Sequence, residues 1–151
     1  MNLLNLKIEE DEKYQKENIS IQCSKVTEKI QEIVSFVKQF DSVMEVQFQN
    51  RTQCIDVKDI FYIETVDRKT FVYTKNEVYA CSKSLIELEK ELSFRYFVRI
   101  SKTTILNMKV LDSVEPYVNH RLKANIANGE TLIVSRTYIQ NIKDYFITRR
   151  K

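Results

Sequence analysis

From residue 44 onward, hydrophobic and polar positions alternate. Met44, Val46 and Phe48 are separated by Glu45, Gln47 and Gln49, the period of two that turns one face of a strand to a core and the other to water. Further short runs with strand character span 60–64, 70–74, 78–81, 97–100, 104–107 and 110–115. Later, Leu122, Ala124 and Ile126 alternate with Arg121, Lys123 and Asn125, and Asn128-Gly129 then leads into 132–134. Asn-Gly between two such runs predicts a hairpin with a type I′ turn, which needs φ > 0 at both central residues.

Helical periodicity interrupts this pattern in three places. Val26, Ile30, Ile33, Val34, Val37 and Phe40 form one stripe of a 3.6-residue period, with Ser24 or Thr27 available as a cap and Glu28, Lys29, Gln31, Glu32 and Lys38 on the other face. Ser84-Leu-Ile-Glu87 reads as a capping box, after which Leu85, Leu88 and Leu92 share a face. A last helix starts near Ser135 with Tyr138, Ile142, Tyr145 and Phe146 inward, and the terminal Arg149-Arg150-Lys151 suits a helix C-terminus. Residues 1–23 hold two β-like runs, 3–8 and 19–23, around a polar stretch. The expected organisation is a β-plus-helix extension over 1–43, a dimerisation or regulatory element, followed by a mostly β domain over 44–151.

Composition narrows the class. The chain has 151 residues, 43% of them hydrophobic, enough to build a core. A single Gly and a single Pro leave the turns to Asn, Asp, Ser and Lys. No apolar run approaches the roughly 18 residues of a membrane span. The first residues lack the basic and small-residue marks of a secretory signal, so a cytoplasmic protein is expected. Cys23, Cys54 and Cys81 are widely spaced and read as small core or strand residues of a reduced protein. The chain offers little catalytic equipment. His120, the one histidine, reads as a solvated turn residue; no Cys/His set has zinc spacing; and one glycine cannot build a phosphate-cradling loop. Glu87 and Glu89 read as solvent-face charges. No enzymatic activity, cofactor or metal is expected.

Charge is unevenly distributed. Residues 1–45 carry six Lys/Arg against nine Asp/Glu, whereas residues 46–151 carry eighteen against twelve. The basic excess of the β region favours a polyanionic partner. Three segments place cations beside hydroxyls at a strand end or loop: Val66-Asp67-Arg68-Lys69-Thr70, Ser101-Lys102-Thr103-Thr104 and Val134-Ser135-Arg136-Thr137. Such groups recognise phosphates, and Arg or Lys can also reach base edges in the major groove.

The segments YIETVDRKTFVYT (62–74), SLIELEKEL (84–92), FVRISKTTILN (97–107), ANGE (127–130) and IVSRTY (133–138) follow one another in an order that resembles the LytTR family of bacterial DNA-binding domains over residues 44–147. The resemblance implies an elongated arrangement of short β-sheets with small helices. It also implies promoter binding through loops in successive major grooves, at paired direct repeats, by a homodimer. Carried over position by position, the DNA-binding residues are Arg68, Lys69 and Thr70, then Ser101, Lys102 and Thr103, then Arg136; Asn107 instead ties down backbone at a strand end. Many relatives carry a receiver domain, for which residues 1–43 are too short, so control by a partner protein, membrane-bound in some cases, is the expectation. The rival reading is a protein-interaction module with no specific DNA binding.

Overall fold

The computed structural model describes residues 4–38, 42–93 and 95–149. Helix α1 spans Glu28–Lys38, and Thr27 caps it, its Oγ1 accepting from the Ile30 amide at 3.3 Å. Ten strands follow. Seven of them, β1 (Val43–Phe48), β2 (Arg51–Asp56), β3 (Ile60–Val66), β4 (Lys69–Thr74), β5 (Val78–Cys81), β6 (Phe97–Arg99) and β7 (Thr104–Asn107), make one antiparallel sheet in the order β2-β1-β5-β4-β3-β7-β6. The others, β8 (Leu111–Tyr117), β9 (Arg121–Ile126) and β10 (Thr131–Val134), make a three-stranded sheet in the order β10-β9-β8. Helices α2 (Leu85–Glu91) and α3 (Ile139–Arg149) complete the fold. The expected mostly β architecture with small helices is what the chain adopts.

The centre of the large sheet is buried on both faces. Neighbouring residues of a strand point to opposite sides, and on β7 Ile105 joins a cluster with Leu85, Leu88 and Leu92 of the α2 region, while Leu106 joins one with Ala124, Ile126 and Val134 of the small sheet and Ile142 of α3. A register shift between Ile60 and Tyr62 lets Ile60 and Ile63 serve the first cluster and Tyr62 the second. Ser84 caps α2, its Oγ accepting from the Glu87 amide at 3.2 Å.

Two polar groups fasten these layers. Asn107, 1% exposed, donates from Nδ2 to the Ile60 carbonyl at 2.7 Å and accepts at Oδ1 from the Lys109 amide at 2.8 Å. Its expected role at the strand end is therefore observed. The Tyr62 hydroxyl donates to Oε2 of Glu130 at 2.6 Å, tying the large sheet to the β9–β10 loop, and its ring stacks on Tyr73 at 4.3 Å. Burial, reinforced by the Glu130 carboxylate, pushes the Tyr62 phenol far above its ordinary pKa.

Several expectations need correcting. Among residues 4–23 there is no strand: Leu6 and Ile8 are 89% and 82% exposed, and alternation cannot form a strand without a neighbouring edge to accept its hydrogen bonds. The extension is thus helical without a β component among its described residues. Val26 precedes α1 and is exposed; Phe40 lies outside the described residues. Strand β2 was not foreseen. The Asn128-Gly129 hairpin forms, but only Gly129 has positive φ (88°). Its amide donates to the Ile126 carbonyl and the Ile126 amide to the Glu130 carbonyl, the pattern of a three-residue loop closed by a left-handed glycine. The two-residue turns with φ > 0 at both positions are instead Gln49-Asn50, joining β1 to β2, and Asp67-Arg68, joining β3 to β4. Cys23 is exposed outside any strand, Cys54 is exposed on β2, and only Cys81 is buried. Phe146 is 43% exposed because Ile142, with Tyr145 half-buried beside it, fills the inward face of α3. Arg150 and Lys151 lie outside the described residues.

Removing the Asn107 amide strands a buried carbonyl, so Asn107→Ala should lower stability by about 2–3 kcal/mol in urea unfolding; a loss under roughly 0.5 kcal/mol would contradict this role. Tyr62 gives a second prediction. Its folded pKa is raised, so above about pH 10 the unfolded chain releases the phenolic proton before the folded chain does, and stability falls as pH rises. Tyr62→Phe should flatten that alkaline loss, while Tyr73 and Tyr96, also raised by burial, leave a residual slope. An unchanged pH profile between 9 and 11 would refute it.

Candidate nucleic-acid interface

The three basic segments meet at one end of the large sheet. The first is the tip of the β3–β4 hairpin, where Asp67 and Arg68 both have positive φ (50° and 66°) and Arg68 and Lys69 are exposed. A left-handed arginine is uncommon, and a two-residue turn between right-twisted strands imposes it. Thr70 is different. It is 6% exposed on β4, opposite Thr65 and Cys81, and its side chain lies inside the sheet rather than on the tip.

The second segment is the loop 101–103. The Ile100 amide donates to the Thr104 carbonyl at 3.0 Å and closes it. Inside it, the Thr103 amide donates to Ser101 Oγ at 3.1 Å, and the Ser101 and Thr103 hydroxyls stand 3.3 Å apart. Arg99 reaches across the same loop: Nε donates to the Ser101 carbonyl at 2.6 Å and Nη2 to the Lys102 carbonyl. The guanidinium is itself placed by Glu89, 3.5 Å from Nη1, and by the Tyr138 ring, 6.0 Å away. Glu89 is therefore an ion-pair partner and not a plain solvent-face charge. Arg99 and the two hydroxyls build a rigid loop, and Lys102 and Thr103 are its exposed residues.

Backbone hydrogen bonds join the segments. The Thr65 amide donates to the Thr103 carbonyl at 2.8 Å, extending the β3–β7 ladder from Glu64↔Thr104 toward the hairpin tip. The Ser135 amide donates to the Ile100 carbonyl at 2.9 Å, setting the exposed Arg136 beside the second loop. Asn141 Nδ2 adds a bond to the Arg99 carbonyl at 3.1 Å, fixing α3 to the same strand. Arg68, Lys69, Lys102 and Arg136 form no ion pair with any described residue. Their charges face solvent.

Comparison with known proteins decides what this surface belongs to. The family model for the LytTr DNA-binding domain matches residues 50–147. The chain belongs to the LytTr DNA-binding domain family. It is 32% identical over 89 residues to the sensory transduction protein LytT of Bacillus anthracis, covering 59% of this chain and 36% of that protein. With the LytT of Enterococcus faecalis it shares 24% over 99 residues, 66% of this chain and 41% of the relative. With the transcriptional regulatory protein LytR of Staphylococcus aureus it shares 27% over 104 residues, 69% of this chain and 42% of the relative. The chain thus spans about two-fifths of the length of these curated relatives. A solved LytTr DNA-binding domain from Bacillus cereus shares the fold with a TM-score of 0.66 at 23% identity, over 70% of this chain and 97% of that one.

Within this LytTr domain, β1 precedes the matched residues yet pairs with β2 and, through Gln47↔Ala80, with β5. The structure also adds residues that the sequence left aside. Arg136 shares an open groove with Asn119, His120 and Arg121 of the β8–β9 turn, which the pattern of alternation and charge along the chain could not place beside it. His120 is exposed, as a turn residue should be. Among the described residues no helix is long and apolar enough to cross a membrane.

Arg99→Ala should free the 101–103 loop: amide hydrogen exchange at Lys102 and Thr103 should accelerate at least tenfold, with a stability loss of roughly 1–2 kcal/mol. Exchange as slow as in the unaltered protein would show that Arg99 does not hold the loop.

Proposed function

We propose that the chain acts as a sequence-specific transcriptional regulator that binds promoter duplex DNA. The observation that carries this reading is the junction of three exposed basic segments by backbone hydrogen bonds at one end of a LytTr fold. Arg68 and Lys69 on the hairpin tip, Lys102 on the braced loop and Arg136 at the turn into α3 enter the major groove or meet its phosphates. Ser101 and Thr103 shape the loop that carries Lys102, and Thr70 supports the hairpin from below. Rigid loops suit this task, because side chains already held in place lose less entropy on binding.

Phosphate contacts set the register and give a steep salt dependence, while one or two of Lys69, Lys102 and Arg136 read bases. The protein works in the cytoplasm as a homodimer on direct repeats, without catalysis, cofactor or metal. The names of its relatives, a sensory transduction protein and a transcriptional regulatory protein, support regulation of transcription. Residues 1–43 form a dimerisation or regulatory element that answers to a partner protein, which for a membrane signal is itself membrane-bound. The exposed Leu6 and Ile8 and the amphipathic α1 support that assignment.

The test is fluorescence anisotropy with DNA from upstream of the gene, against scrambled DNA, over a salt series. Lys102→Ala and Arg136→Ala should each cost about 1–3 kcal/mol of specific affinity without altering the urea midpoint. Near-unaltered affinity in both variants would overturn the site assignment. A protein that bound a partner but no duplex would be an interaction module instead.

A further inference from the structure

The β8–β9 turn, Val118–His120, stands where β8 and β9 leave their ladder at Tyr117↔Arg121. Asn119 and His120 both adopt left-handed backbone, φ 58° and 60°. Two open grooves flank the turn. One is lined by Asn119, His120 and Arg121 with Ser135, Arg136 and Thr137. The other shares Asn119, His120 and Arg121 and is lined as well by Tyr117, Ile139 and Lys143, among others. His120, Arg121, Arg136 and Lys143 thus come from a turn, a strand, a 3-10 turn and a helix, and no carboxylate lines either groove. Four groups able to carry positive charge, gathered from four places without an acid among them, suit an anion.

Arg121 is already aimed. Its Nε donates to the Val118 carbonyl at 3.1 Å, and its guanidinium lies 4.9 Å over the Tyr117 ring, which Lys123 also approaches at 4.8 Å. That uses one of five guanidinium N–H donors and leaves the others for a ligand. Arg136 belongs to both this surface and the one described above, so the two are continuous.

We propose that the β8–β9 turn is a second phosphate-binding element of the DNA interface, in which His120, Arg121 and Lys143 hold the sugar-phosphate backbone beside the base pairs that Arg136 meets. This rests on the DNA-binding reading. The three loops specify the sequence; the turn adds affinity that every duplex shares.

The experiment measures anisotropy of the full chain with the upstream duplex and with a scrambled duplex, from 50 to 200 mM salt. Two variants spare the turn itself: Lys143→Gln lies on exposed α3 surface, and His120→Asn keeps a residue that tolerates left-handed backbone. Lys143→Gln should weaken both duplexes alike, by about threefold to tenfold, and lower the salt slope by about 0.9. His120→Asn should likewise weaken both duplexes alike, by a few-fold. Variants with an unaltered slope and an unaltered affinity would overturn the proposal. An unaltered protein that binds both duplexes equally would refute sequence-specific regulation while leaving the slope comparison to decide this turn; one that binds neither would overturn both.

Discussion

Ile100 is the pivot of the candidate surface. It is fully buried, its amide closes the 101–103 loop onto Thr104, and its carbonyl accepts from Ser135 and so delivers Arg136. One peptide segment thereby couples the end of the large sheet to the end of the small one. The β3–β7 ladder adds the hairpin tip through Thr65 and Thr103. A side chain on any of the three segments keeps its spacing to the others because backbone bonds, and not flexible side chains, set it. Recognition of a rigid duplex needs that constancy.

The polar residues of the region divide by task. Arg99, Glu89, Ser101 and Thr103 spend their hydrogen bonds on the protein, and Asn107 and the Tyr62–Glu130 pair hold the layers behind them. Arg68, Lys69, Lys102 and Arg136 form no ion pair with any described residue. Unpaired exposed cations cost a fold little, since water solvates them, and they stay available for counterion-releasing contacts. Braced backbone under free charge is the physical basis of the proposed DNA interface.

Much of this was legible in the sequence where a local rule governs the outcome. Alternation and short runs of strand character located nine of the strands, Ser84-Leu-Ile-Glu87 located α2, and Asn107 announced itself as a polar residue at the end of an apolar strand. What escaped was decided by tertiary context. Strand β2, RTQCID, is a nearly wholly exposed edge whose partner β1 supplies the core, so it shows no hydrophobic alternation. Leu4, Leu6 and Ile8 alternate like a strand but have none beside them. Gln49-Asn50 and Asp67-Arg68 form type I′-like turns without glycine because their strands demand it, whereas Asn128-Gly129 closes a longer loop. In the same way nothing in RISKTTILN distinguishes an arginine that braces a loop from a lysine that faces a ligand. Only the fold separates Arg99 from Lys102, buries Thr70 and brings His120 to Arg136.

The central claim is that the three segments act together as one DNA surface. The most direct measurement is the change in backbone amide resonances of the isotopically labelled chain as the upstream duplex is added. Amides of 66–70, 101–104 and 135–137 should shift together, at one duplex concentration, with α1 and the β1–β2 edge unmoved. Shifts confined to α1 or that edge, with the three segments silent, would contradict the account.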